Sequence, residues 1–185
     1  ANGLGGIFAV GKKQGTQRKI WNGALLSEAA SSPPFPHRLA NPSSFLDIQA
    51  AGSGTLFFSK RDAATYFDTL SVPEGLQPWL CQTPVYVHEL LEFGNFCLEE
   101  VMSMIVDSNG TLPSLQSMLY PSHVVWPMGF SWSSFVGQST MLSCCLEAGI
   151  AECAVLSLDH EVPENQSELC SIATDDVILI HQCPD

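Results

Sequence analysis

This sequence predicts an α+β fold, with strands and helices in separate runs instead of strict alternation. Three observations lead there. Strand-like runs Ile7–Val10 and Arg18–Trp21 flank a polar turn containing Gly15, which is a β-hairpin signal. CSIAT and VILIH flank Asp175 and Asp176 in the same way and predict a second hairpin. Between them, SWSSFVGQSTMLSCCLEAGI (131–150) predicts a helix whose small residues permit close packing and which ends near Gly149.

The remaining elements follow in chain order. SEAASSPPFPHRLANPSS (27–44) is rich in Ser, Pro and Ala and predicts an irregular crossing with one helical turn. TLFFSKRD (55–62) predicts a strand, and AATYFDTL (63–70) has helix-permissive composition. Pro73, Gly75 and Pro78 break the chain. Phe96 to Val106 carries apolar residues at helical spacing with acids on the other face. The loop DSNGTLPS follows, then a short strand HVVW (123–126) that stops at Pro127. CAVLSL (153–158) is an apolar segment before the polar loop HEVPENQSE.

At 185 residues the chain can bury one good core, or one core and a subdomain. Its 45% hydrophobic and 14% charged composition excludes wholesale disorder, and no apolar run reaches the roughly 20 residues of a membrane span. ANGLGG lacks the basic start and apolar core of a signal peptide. Seven cysteines without a C-x-x-C pair predict reduced thiols in an intracellular protein, cytoplasmic or nuclear, and not a zinc site. Asn109 and Asn165 match the glycosylation sequon, by chance in such a compartment. The net charge of −12 hides a steep division. Residues 1–61 hold all seven basic residues against two acids, leaving +5; residues 62–185 hold the other 17 acids and no Lys or Arg. A phosphate-binding hairpin and a metal-binding acidic centre would divide charge this way; so would a solvated acidic surface with one basic loop.

Asp175 and Asp176 sit side by side in SIATDDVILI, where like charges repel and flanking Ile and Val resist hydration. A cation would offset that repulsion, since hard divalent ions such as Mg²⁺ take carboxylate oxygens. Asp62 supplies a third carboxylate: it ends the run FFSKRD, which is expected to lie beside the first strand of the Asp-Asp hairpin. Two metals about 4 Å apart are the arrangement that serves phosphoryl transfer. GFSWS is no nucleophile elbow, because Ser133 stands where Gly is required, and GKKQGT lacks the ending of a P-loop.

Four segments in one order resemble reverse transcriptases of the retrotransposon and retrovirus type. FAVGKKQGTQRKIW resembles their fingers hairpin, FFSKRDAATYFDTLSV the first catalytic motif, WPMGFSWSSFVGQSTM the second, and IATDDVILI the third. The resemblance runs from residue 7 to 181 and implies the fingers and palm of a right-hand polymerase: an antiparallel palm sheet backed by helices, with a projecting fingers β-hairpin. It implies a fingers segment 1–54, a first palm segment 55–72, an insertion 73–121, and a palm segment 122–185. The implied reaction is RNA-directed DNA synthesis from a primer 3′-hydroxyl and deoxynucleoside triphosphates, on an RNA or DNA template.

By the same resemblance, Asp62, Asp175 and Asp176, with the Ala63 backbone, hold two Mg²⁺ ions, for which Mn²⁺ can substitute. Lys12, Lys13 and Arg18 grip the triphosphate. Phe67, five residues after Asp62, crowds the sugar 2′ position and favours deoxynucleotides. Met128 and Gly129 form the turn over the incoming base. Gln138 lies near the template, and Ala173 and Thr174 near the primer end. Ala173 stands where the family has an aromatic, and Asn22, Gly23 and Ala24 replace Asp-aromatic-Arg. These departures suit a second expectation, a decayed polymerase-derived domain kept as a binding or structural module. The sequence given stops nine residues after Asp176. The family's thumb and RNase H regions are therefore expected as missing partners from a parent polyprotein, and this fragment is expected to be feeble or inactive alone.

Overall fold

The computed structural model describes residues 1–48, 54–106, 113–163 and 167–183. The elements run β1 (Leu4–Gly11), β2 (Gln17–Asn22), α1 (Ala24–Ala29), β3 (Thr55–Asp62), β4 (Cys81–Gln82) and β5 (Val85–Tyr86). They continue with α2 (Val87–Phe93), α3 (Leu98–Ser103), β6 (Met118–Leu119), α4 (Ser131–Glu147), β7 (Val155–Leu156), β8 (Glu168–Ala173) and β9 (Asp176–Cys183). The chain is thus mixed α+β, and most of its strand pairs are antiparallel. No helix among the described residues is long and apolar enough to cross a membrane.

The chain divides into two compact units, and their boundaries differ from the expected segments. One unit comprises 1–29 and 71–129; the other comprises 30–70 and 130–185. Residues 30–48 fall with the second unit because Phe45 and Ile48 pack on Leu156, Leu169 and Ile180. The expected insertion 73–121 falls with the first, because β4 pairs in parallel with the start of β1. The expected segment 122–185 is divided after Gly129.

In the first unit β1 and β2 form the expected hairpin, with Val10 opposite Arg18 and a 3₁₀ turn at Lys13–Gly15. Trp21 is buried, and its indole N–H donates to the Cys81 carbonyl at 3.2 Å. The predicted strand at 123–126 does not form. Only isolated bridges, Ser71 with Val125 and Cys81 with Ser122, occur there, because each partner offers a single residue in register. The helix expected over 96–106 is shorter, Leu98–Ser103, and is preceded by the separate helix α2.

The second unit is built on a four-stranded sheet in the order β3-β9-β8-β7. β8 lies inside it, buried from Leu169 to Ile172. On one face α4 packs Leu142, Met141 and Leu146 against Cys170, Ile172 and Val177. The other face holds Leu169, Ile180 and the partly buried Leu56 and Ile178. The sheet is not purely antiparallel, since β7 runs parallel to β8. α4 ends as its sequence predicts. Gly149 takes φ +98, its N–H bonds the Leu146 carbonyl, and the Ile150 N–H bonds the Cys145 carbonyl, closing a Schellman cap. The helix-permissive run 63–70 forms only a 3₁₀ turn, Tyr66–Thr69, entered through Thr65 at φ 51. The helical turn expected within 27–44 forms as a 3₁₀ turn at Pro42–Phe45, and α1 reaches into the start of that stretch. The six cysteines with described side chains are free thiols. Asn109 and Asn165 lie outside the described residues.

Candidate active site

The three acids come together at one end of the sheet. β3 pairs antiparallel with β9, which places Asp62 directly opposite Asp176. This corrects one expectation: β3 lies beside the second strand of the Asp-Asp hairpin, not the first. β8, the first, already has β9 on one edge and β7 on the other. The Ala63 N–H donates to the Asp175 carbonyl at 3.0 Å. That bond joins the residues flanking the Asp62/Asp176 pair, so the pair itself is of the non-hydrogen-bonded kind, whose side chains approach most closely, with Cα atoms about 4.5 Å apart. Opposed like charges in such a pair are destabilising. Asp62 is exposed and both other acids are half-buried, so water reaches all three.

A cation of the chain already answers that repulsion. Lys60 lies two residues before Asp62, on the same face of β3. Its Nζ stands 2.9 Å from Asp176 Oδ1. The Lys60 ammonium is held above its ordinary pKa, first by the hydrogen bond to Asp176 and then by its charge, with Asp62 and Asp175 adding to the effect. All three carboxylates therefore act on one cation. Among the described residues, no three His, Cys, Asp or Glu side chains converge as they stand to hold an ion. The donor set fits Mg²⁺ by chemistry, being all carboxylate. A divalent ion would have to draw Asp176 away from Lys60.

The turn before Asp176 is strained and clamped. Thr174 and Asp175 form the two-residue loop between β8 and β9, and Thr174 holds φ 59, a region that disfavours a β-branched residue. Gln138 of α4, with no exposed surface, holds this loop. Its Oε1 accepts the Thr174 N–H at 2.8 Å, and its Nε2 donates to the carbonyls of Arg38 at 3.1 Å and Ile172 at 3.3 Å. Gln138 was expected near the template; the structure buries it beneath the turn, with its amide committed to backbone groups.

Gly137 makes room beside it. A Cβ there would come within 2.9 Å of Thr174 Cγ2 and 3.4 Å of the Phe67 ring. Phe67 and Thr174 thus meet over Gly137, which brings the expected sugar-facing aromatic to the acidic turn. Tyr66 lies buried next to Phe67 and donates its hydroxyl to the Gly137 carbonyl at 2.8 Å. Burial pushes its phenol up to about 12, with Cys144 and Asp175 nearby adding to it. Ala173, opposite Asp176 on β8, is exposed.

The expected phosphate-binding residues lie in the other unit. Lys12 and Lys13 enter the hairpin turn and Arg18 is the second residue of β2; all are exposed. The Lys12 N–H donates to the Thr16 carbonyl at 2.7 Å, which closes the turn. Met128 and Gly129 belong to the same unit: the Trp21 N–H donates to the Met128 carbonyl at 3.0 Å. Gly129 takes φ +110, and a Cβ there would collide with the Trp21 carbonyl oxygen. Only glycine permits that approach.

Lys60, Tyr66 and Gly137 are the residues that sequence reasoning missed. Period-two spacing along FFSKRD could have placed Lys60 on the Asp62 face; nothing in the sequence marks the other two. No known family profile matches the chain, and no curated protein matches it significantly. A functional reading rests on these residues and their arrangement.

Proposed function

We propose that the chain carries the nucleotidyl-transfer centre of a reverse transcriptase-type polymerase, which adds deoxynucleotides to a primer 3′-hydroxyl on an RNA or DNA template. The observation that carries this reading is the pairing of Asp62 with Asp176 across β3 and β9, with Asp175 tied to Ala63 beside them. Residues 114 positions apart would have no reason to meet if the acidic motifs were surface turns.

In this reading Asp62, Asp175, Asp176 and the Ala63 carbonyl hold two Mg²⁺ ions. When bound, these ions lower the pKa of the primer hydroxyl and neutralise charge on the departing pyrophosphate. Gln138 fixes the height of the Thr174–Asp175 loop, which carries Asp175 and leads into Asp176. Phe67 sets a wall beside the acids that excludes a ribose 2′-hydroxyl by bulk. Lys12, Lys13 and Arg18 supply charge-assisted hydrogen bonds to a triphosphate. The Met128–Gly129 backbone offers a flat approach to a base. Ala173 and Thr174 line the side where a primer end would come.

Calorimetry with Mn²⁺ tests the centre. The wild-type chain should bind, and Asp175→Asn should weaken binding at least about tenfold. Primer extension with Mg²⁺ or Mn²⁺ then tests the reaction, which Asp62→Asn should abolish. Equal Mn²⁺ binding by wild type and Asp175→Asn would sink the reading.

A second reading, a polymerase-derived binding or structural module, draws on the Lys60–Asp176 bond, which offsets one of the three carboxylate charges without a metal. It predicts an Asp176→Asn variant that binds no less Mn²⁺ than wild type and unfolds more easily.

A further inference from the structure

Strand geometry puts Lys60 where it competes with any ion for the same oxygen. On β3, Lys60 and Asp62 share the face turned away from α4, and Asp176 sits across from Asp62 on that face. From position 60 the ammonium reaches diagonally to Asp176 Oδ1 at 2.9 Å. Every other basic residue of the second unit points elsewhere: Arg61 is on the opposite face and hydrogen-bonds the Lys60 carbonyl, and Arg38 donates to Val155. The pair is open to water, with the Lys60 side chain 59% exposed and that of Asp176 40%. A screened, single-point contact on a flexible stem exchanges readily, unlike the two-point grip of a guanidinium.

We propose that Lys60 is the resident counter-ion of the carboxylate centre, holding Asp176 in the cation-free protein and yielding it when a divalent ion enters. This rests on the nucleotidyl-transfer reading above. It makes Lys60 a positioning residue: it keeps Asp176 aligned opposite Asp62 between turnovers and sets the cost of loading the ions. The chain thereby holds two carboxylates face to face without a permanently bound metal.

The test is a charge series on the 185-residue chain, reading Mn²⁺ affinity by calorimetry and, separately, the unfolding midpoint in EDTA. Lys60→Met should bind Mn²⁺ about two- to fivefold more tightly than wild type, since the competitor is gone. In EDTA it should melt below wild type, because Asp62 and Asp176 lose their screen. Lys60→Arg should do the reverse, binding Mn²⁺ more weakly and melting no lower. A packing role would move both readouts in one direction. Wild-type binding together with unchanged or weaker binding by Lys60→Met overturns the counter-ion role and leaves the polymerase reading standing. No binding by wild type, Lys60→Met or Lys60→Arg overturns both, and the wild-type isotherm alone tells the two failures apart.

Discussion

The β1–β2 hairpin and the β8–β9 hairpin are both two-stranded corners bearing charge, yet they are built by opposite means. At the first, the turn closes on itself through Lys12 and Thr16, and among the described residues Lys12, Lys13 and Arg18 form no salt bridge. At the second, the loop and the strand it enters are held from outside: Gln138 reaches the loop from α4, Ala63 from just beyond β3, and Lys60 of β3 bonds Asp176 at the start of β9. The basic corner keeps its charges solvated. The acidic corner cannot do so, because three carboxylates left to themselves would push the strands apart. Distant residues must hold them.

Removing the clamp should show the largest effect. Gln138→Leu leaves the Thr174 N–H and the Arg38 carbonyl without this buried partner, while the Ile172 carbonyl keeps the Ala40 N–H, and should cost about 3 kcal/mol in urea unfolding. An effect below about 1 kcal/mol would place Gln138 outside the support of the turn. Next comes Gly129→Ala, which forces a side chain into φ +110 against Trp21. It should destabilise by about 2 kcal/mol, followed through Trp fluorescence. Here, as at the Trp21–Cys81 bond and the β1–β4 pairing, the hairpin unit depends on distant contact as the sheet unit does.

A third comparison uses alkaline pH. Burial raises the Cys170 thiol from 9.0 to about 12, with Cys145 beside it contributing. Tyr66 is raised to about 12 as well. The folded state keeps protons that the unfolded chain releases, so this stability is full below pH 9 and lost as pH rises towards about 12. The unfolding midpoint should therefore fall above pH 9, and Cys170→Ala should flatten the first part of the fall. At pH 8, alkylation should reach exposed Cys97, Cys144 and Cys153 and spare Cys81 and Cys170 until unfolding.

The smallest effect on stability belongs to the basic corner. Arg18→Ala should change unfolding by less than about 0.5 kcal/mol, because an exposed, unbridged side chain contributes little. Its affinity for a deoxynucleoside triphosphate, measured by fluorescence titration, should nonetheless drop severalfold. A large loss of stability would mean that Arg18 is structural and that the contrast between the two corners is wrong.

What the sequence determined alone is what neighbours in the chain decide. Turn residues and alternation marked both hairpins, Thr55–Asp62 matched the strand read from TLFFSKRD, and Gly149 ended α4 because only a residue tolerant of positive φ closes that cap. Local composition misjudged 63–70 and 123–126, where helix and strand need partners that tertiary packing did not supply. Which strand receives β3, that Lys60 meets Asp176, and that Gln138 lies under Thr174 were decided only by the folded structure. Each joins residues dozens of positions apart, and such contacts form only once a core has brought both faces together. Spacing along the chain carries no record of them.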